Sequence, residues 1–127
     1  MADVLAWGKW LASEIPLKGI RFDAIKHFSG DFLRQFIEQL DGAYGQGWFF
    51  VGEFWKDPLG DMTNYLDRMG RKFSLFDAPL VYRFSQISQA ESADLRRVFD
   101  DTLVQVAPIC AVVSFLDLPG FRLADDI

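Results

Sequence analysis

Short apolar runs and amphipathic stretches take turns along this chain, and that alternation restricts its fold more than any other feature. From Asp3 onward, Val4, Trp7, Leu11 and Ile15 recur at steps of three and four, the spacing of one helical face, until Pro16 ends the pattern. Gly19-Ile20-Arg21-Phe22 comes next, too brief for a helix. Ser29 is placed to cap a second helix in which Phe32, Leu33, Phe36, Ile37 and Leu40 share a face, closed by the glycines from Gly42 to Gly47. Trp48-Phe49-Phe50-Val51 reads as a strand buried on both faces. Leu59, Met62, Leu66 and Met69 form another helical stripe closed by Gly70, and Phe73 to Phe76 form a short strand that Asp77-Ala78-Pro79 breaks. Leu80 to Ala90 is ambiguous, with a short helix as one reading. Leu95, Val98, Phe99 and Leu103 mark a helix beginning near Ser92, and Ile109 to Phe115 is the last strand-like run.

Such alternation means parallel βαβ units, so the fold class is α/β. An open doubly wound sheet and part of a (β/α)8 barrel both satisfy it. A complete barrel takes roughly 250 residues, whereas this chain has 127.

Charge and composition exclude several functions. Thirteen Lys and Arg against eighteen Asp and Glu leave a net charge of −5, which argues against a nucleic-acid surface. No apolar run approaches the ~20 residues of a membrane span, so no membrane partner is expected. Cys110 is alone and forms no internal disulfide; in an apolar run, it reads as a buried small hydrophobe. The first residues lack the basic and apolar regions of a leader peptide, which predicts a cytoplasmic protein. Thirteen Phe, four Trp and three Tyr serve chiefly a core, although sugar sites also use rings as platforms.

Two carboxylates occupy equivalent places. Asp23 follows the run ending at Phe22, and Glu53 follows the run ending at Val51 by one glycine, thirty residues on (53 − 23 = 30). On neighbouring parallel strands both would lie at the C-terminal edge, where α/β folds place their sites. Strands ~4.8 Å apart could bring them to the ~5–5.5 Å separation of retaining glycosidases, with one carboxylate attacking and the other donating a proton. Arg21 shares a strand face with Asp23 and would hold it ionised, whereas Glu53, beside Phe54 and Trp55, would be pushed toward its protonated form. The competing reading is that both acids merely cap the helices that follow.

The stretch Gly19-Ile20-Arg21-Phe22-Asp23-Ala24-Ile25-Lys26-His27 resembles the fourth-strand motif of the α-amylase family, glycoside hydrolase family 13. Val51-Gly52-Glu53-Phe54-Trp55 is similar to its fifth-strand motif. Asn64-Tyr65-Leu66 through Phe76-Asp77-Ala78-Pro79-Leu80 is similar to the connection that leads to the sixth strand in liquefying-type amylases. The resemblance runs from about Asp3 to Phe115. It implies a partial (β/α)8 barrel, about strands four to seven with their helices, occupying residues 1–117 ahead of a tail, 118–127, without likeness.

The resemblance also implies retaining hydrolysis of α-1,4-glucosidic bonds in starch- or glycogen-like glucans. Asp23 matches the catalytic nucleophile, Glu53 the general acid/base, and Arg21 the arginine that holds the nucleophile. Lys26 and His27 match residues lining the subsites for the leaving part of the glucan, and Trp55 is a candidate sugar-stacking ring. The backbone carbonyl of His27 matches a ligand of a structural calcium ion, a cation suited to oxygen donors.

The chain also departs from the pattern. Ala111-Val112-Val113-Ser114-Phe115-Leu116-Asp117 begins the seventh-strand motif, but Leu118-Pro119-Gly120 stand where the third catalytic carboxylate is expected. A piece of barrel of this extent has open sheet edges, which predicts self-association through them. The expected function is therefore an α-amylase-type hydrolase in truncated form; the alternative is a non-catalytic glucan-binding or inactive fragment.

Overall fold

The computed structural model of the chain describes residues 2–112, other than 46, 57 and 71. Helix α1 (Ala2–Glu14) leads to strand β1 (Gly19–Phe22), and a single 3-10 turn (Ile25–His27) leads to α2 (Gly30–Tyr44). Strand β2 (Phe49–Gly52), α3 (Leu59–Arg68), β3 (Ser74–Phe76) and α4 (Ala78–Gln89) continue the alternation, and α5 (Leu103–Val106) precedes β4 (Ala111–Val112). All neighbouring strands pair in parallel, in the order β1-β2-β3-β4.

Register divides the sheet into two unlike faces. Arg21 lies opposite Val51, Val51 opposite Ser74, and Phe76 opposite Val112. Because side chains alternate along a strand, Ile20, Phe22, Phe50, Leu75 and Ala111 point to the other side. That second face carries the core: Phe50 and Leu75 are buried with Phe36, Ile37 and Leu40 of α2, Met62 and Leu66 of α3, and Leu103 of α5. Gly52 belongs to it too, because a Cβ there would run into Ile25 and Phe73. The first face is polar where it meets the strand ends, and its Phe49 is 52% exposed. A sheet whose strand order never reverses, with its helical core on one face, is compatible with a segment of a (β/α)8 barrel; a doubly wound sheet reverses at a switch point and carries helices on both faces.

Local chemistry explains the helix ends. The Ser29 hydroxyl accepts from the Phe32 amide and caps α2, as the sequence predicts. The helix passes through Gly42 and ends where Gly45 takes φ 85°. Asp77 caps α4 with Pro79 in its first turn, which resolves the ambiguous stretch after Leu80 as helix.

Three expectations are corrected. In α1 the stripe of Val4, Trp7 and Ile15 is exposed, at 47%, 52% and 46%. The buried contact is made instead by Gly8, whose missing side chain admits the Phe36 ring, with Leu5 and Ala12 packed on the same core. Trp7 and Leu11 line a cleft of about 450 Å³ beside β1, together with Leu17 and Phe28. The helix expected from Ser92 is a 3-10 turn (Leu95–Arg97) followed by further turns. There the Asp94 carboxylate binds both the amide and the guanidinium of Arg96, and Asp101 at φ 56° breaks any helical continuation. The charges of this segment form surface ion pairs, Arg96 with Asp94 and Arg97 with Asp100. Finally, the run from Ile109 opens as a 3-10 turn (Pro108–Cys110) before β4; Cys110 is buried, as expected. Residues 113–127, including Asp117 and the tail boundary at 117, lie outside the described residues. Among the described residues no helix is long and apolar enough to cross a membrane.

Candidate active site

Backbone pairing builds the site. The Glu53 amide donates to the Phe22 carbonyl at 2.9 Å, and the Ile25 amide donates to the Glu53 carbonyl at 3.1 Å. These two bonds cross between the ends of β1 and β2 and fix Asp23 and Glu53 as neighbours at the C-terminal edge. Ala24, between them in the chain path, adopts a left-handed conformation at φ 48°, ψ 38°. Such a conformation costs a residue with a Cβ about 1–2 kcal/mol. It drives Ile25 into the core, where it is fully buried, and turns the Ala24 amide onto the Glu53 carboxylate.

The two acids influence each other's titration directly, through hydrogen bonding and charge. Asp23 is exposed, whereas Glu53 is buried with 5% of its surface accessible. The Trp55 indole N–H donates to Glu53 Oε1, and Arg21 Nη2 stands 3.6 Å from Glu53 Oε2. Trp55 in turn packs edge-on against Tyr82 of α4 with ring centres 5.9 Å apart, and the Arg21 guanidinium lies 5.4 Å from the centre of the Phe76 ring.

This arrangement polarises the pair. Hydrogen bonding to the Glu53 carboxylate as acceptor, then its negative charge, then burial hold the Asp23 carboxyl above its ordinary range; Arg21 opposes them. Burial pushes Glu53 up, but the bonds with Asp23 and Trp55, the charge of Arg21 and the Ala24 amide outweigh it and leave Glu53 below the usual carboxylate range. The two acids titrate as a pair, and the surroundings favour the charge on the inner acid over the outer one. The bias expected from the sequence runs the other way. The reason is reach: the Arg21 side chain crosses to β2 and pairs with Glu53, on which three donors converge.

Neither acid caps a helix. Ser29 caps α2, and the start of α3 at Pro58 has no side-chain cap. Lys26 and His27 are exposed in the 3-10 turn just after Asp23, on the approach to the pair. Trp55 is half-buried and engaged by Glu53 and Tyr82.

Curated proteins of known activity match this stretch. An alpha-amylase of Bacillus licheniformis is 38% identical over 117 residues, covering 91% of this chain and 23% of its own length. A glucan 1,4-alpha-maltohexaosidase of Bacillus sp. (strain 707) is 39% identical over 87% of the chain, and a cytoplasmic alpha-amylase of Escherichia coli (strain K12) is 31% identical over 87%. The chain matches a partial segment of alpha-amylases. It spans about a fifth of the length of these relatives, 21–23% of each. No family model matches it.

The match to alpha-amylases raises the question of calcium, which takes six to eight oxygen ligands. The described residues bring together no group of three or more carboxylate, histidine or cysteine side chains. His27, whose carbonyl is the expected ligand, stands exposed on the 3-10 turn and supplies one oxygen at most. The residues present do not by themselves fit a calcium site.

Sequence reasoning passed over two kinds of site residue in this amylase segment. Asp77 ends β3 as Asp23 and Glu53 follow β1 and β2, but it points to the helical side and is 1% exposed. Its two oxygens accept from the amides of Leu80 at 3.0 Å and Val104 at 2.7 Å, tying α4 to α5. The Asp-Ala-Pro sequence is a capping signature and was available as a signal. Phe76 and Tyr82 had no such signal, since a ring's partner is set by packing.

Proposed function

We propose that Asp23 and Glu53 are the working pair of a retaining α-1,4-glucan hydrolase acting on starch- or glycogen-like chains. Asp23 Oδ attacks the anomeric carbon as the bond to the leaving oxygen breaks, and Glu53 delivers a proton to that oxygen. Glu53 then takes a proton from water, whose oxygen displaces Asp23 and releases the sugar with its configuration retained. Glucan entering between the two carboxyls removes Asp23 from the set that lowers Glu53, which favours the proton on Glu53, the position from which it can be donated. Lys26, His27 and Trp55 bind the glucan. The observation that carries this reading is the placement of Asp23 and Glu53 side by side at the ends of adjacent parallel strands, inside the stretch shared with the alpha-amylases.

The wider architecture belongs to the same proposal: a partial (β/α)8 barrel whose free edges at β1 and β4 support self-association, in the cytoplasmic setting named for the E. coli relative. Calcium would need oxygens beyond the described residues.

The second reading, glucan binding without turnover, is favoured by one observation. Leu118-Pro119-Gly120 replace the expected third carboxylate, and Asp77, the remaining strand-end acid, is committed to helix capping. Reducing-sugar release from soluble starch by the chain and its Glu53→Gln variant separates the readings. Release that the variant abolishes supports hydrolysis, and release that persists removes Glu53 from its role. Saturable maltooligosaccharide binding without release establishes the second reading.

A further inference from the structure

We infer that Phe76 and Tyr82, both supplied by the β3–α4 unit, are positioning residues that hold Arg21 and Trp55 against the Glu53 carboxylate. The inference deepens the proposed function and rests on the reading that Asp23 and Glu53 are the working pair.

The register makes the arrangement specific. Val51 pairs with Ser74 and Gly52 with Leu75, so the next position along β3, Phe76, lies beside Glu53 on the same face of the sheet. Where β1 and β2 place an acid at this edge, β3 places a ring, and its own acid, Asp77, turns to the helical side. The Arg21 side chain is 41% exposed, and a guanidinium so exposed would otherwise spend much of its time in solvent. The Phe76 ring, 5.4 Å beneath it, offers the quadrupole that keeps it over the sheet and 3.6 Å from Glu53.

Tyr82 does the matching task one turn into α4. Its edge-on contact at 5.9 Å and 60° fixes the plane of the Trp55 indole, and the plane decides whether the N–H reaches Glu53 Oε1. Glu53 is thus clamped from two sides, by a cation held on one ring and by an indole held on another. Among the described residues, the charged groups that face it are Arg21 of β1 and Asp23 just beyond its end; Tyr82 is the titratable group that α4 brings near. A clamp of this kind sets the proton affinity of Glu53.

The test is carbon-detected NMR of the Glu53 and Asp23 carboxyls across a pH series, with the Trp55 indole N–H read in the same samples of the full chain. Phe76→Leu is expected to raise the proton affinity of Glu53 by about twofold to fivefold, the size of a lost cation–π contact. Phe76→Tyr, which keeps the ring, is expected to restore the original midpoint. Tyr82→Leu is expected to move the indole resonance toward that of an unbonded N–H and to raise Glu53 similarly. Tyr82 is 43% exposed, so its truncation leaves the core intact and decides the matter alone if Phe76→Leu does not fold. An unchanged Glu53 midpoint and an unchanged indole resonance overturn the inference. Because neither readout involves turnover, a failure of hydrolysis tells against the proposed function and not against the clamp.

Discussion

The guanidinium of Arg21 pairs with Glu53, 3.6 Å away on the neighbouring strand, although Asp23 shares its own strand edge two residues on. Together with the Asp23 and Trp55 side chains, which act more strongly, it lowers the proton affinity of the inner acid, while Glu53 raises that of the outer one. Two neighbouring carboxyls repel each other when both are charged.

That repulsion has a pH signature. Asp23 titrates above its ordinary value of 3.8 in the folded chain, so the fold binds that proton more tightly than the unfolded chain does. The stability linked to it is fully present below the ordinary value and is lost as pH rises through the elevated folded one. Asp23→Asn removes the loss, and the variant is expected to melt at a higher temperature than the parent at neutral pH. The advantage should shrink as pH falls toward 3.8. Melting curves at several pH values check this, and a lower melting temperature for the variant at neutral pH would contradict it.

Asp77 is expected to matter for stability rather than chemistry. Its buried carboxylate satisfies the amides of Leu80 and Val104, which Asp77→Ala would leave without their acceptor. The expected cost is about 2–4 kcal/mol, two caps' worth in a buried setting. Urea unfolding measures it. A loss below about 0.5 kcal/mol would show that the α4–α5 tie is replaceable.

Gly52 couples the core to the site. A Cβ there collides with Ile25 and the Phe73 ring, both fully or nearly fully buried, so neither can step aside cheaply. Gly52→Ala is expected to cost about 1–3 kcal/mol by overpacking. Because Glu53 is the next residue, the same variant should shift the Glu53 carboxyl resonance. Stability loss with an unmoved resonance would show that the strand end is insulated from the core.

The sequence made the βαβ repeat, the two acids and their strand-end positions legible, because periodicity and spacing are local properties. What it hid depends on which side of an element faces inward. The α1 stripe of Val4, Trp7 and Ile15 looked like a core face, but Gly8 against Phe36 set the rotation of the helix. Leu95 and Phe99 kept helical spacing, yet the Asp94 cap and the left-handed Asp101 divided the segment into turns. Arg21 was recognised as a site residue and assigned to the acid on its own strand. Its reach to Glu53 is a property of side-chain length and of the ring beneath it, and no spacing rule encodes that.

The central claim is that Asp23 forms a bond to sugar while Glu53 handles the proton. An α-maltotriosyl fluoride needs no proton for its leaving group, so the Glu53→Gln chain should react with it and then stall for want of a base to activate water. Peptide mass mapping of the stalled protein is predicted to find one glycosyl group on the peptide that carries Asp23, and none when Asp23→Asn is combined with Glu53→Gln. A glycosyl group on any other residue, or none on the Glu53→Gln chain, would contradict the account.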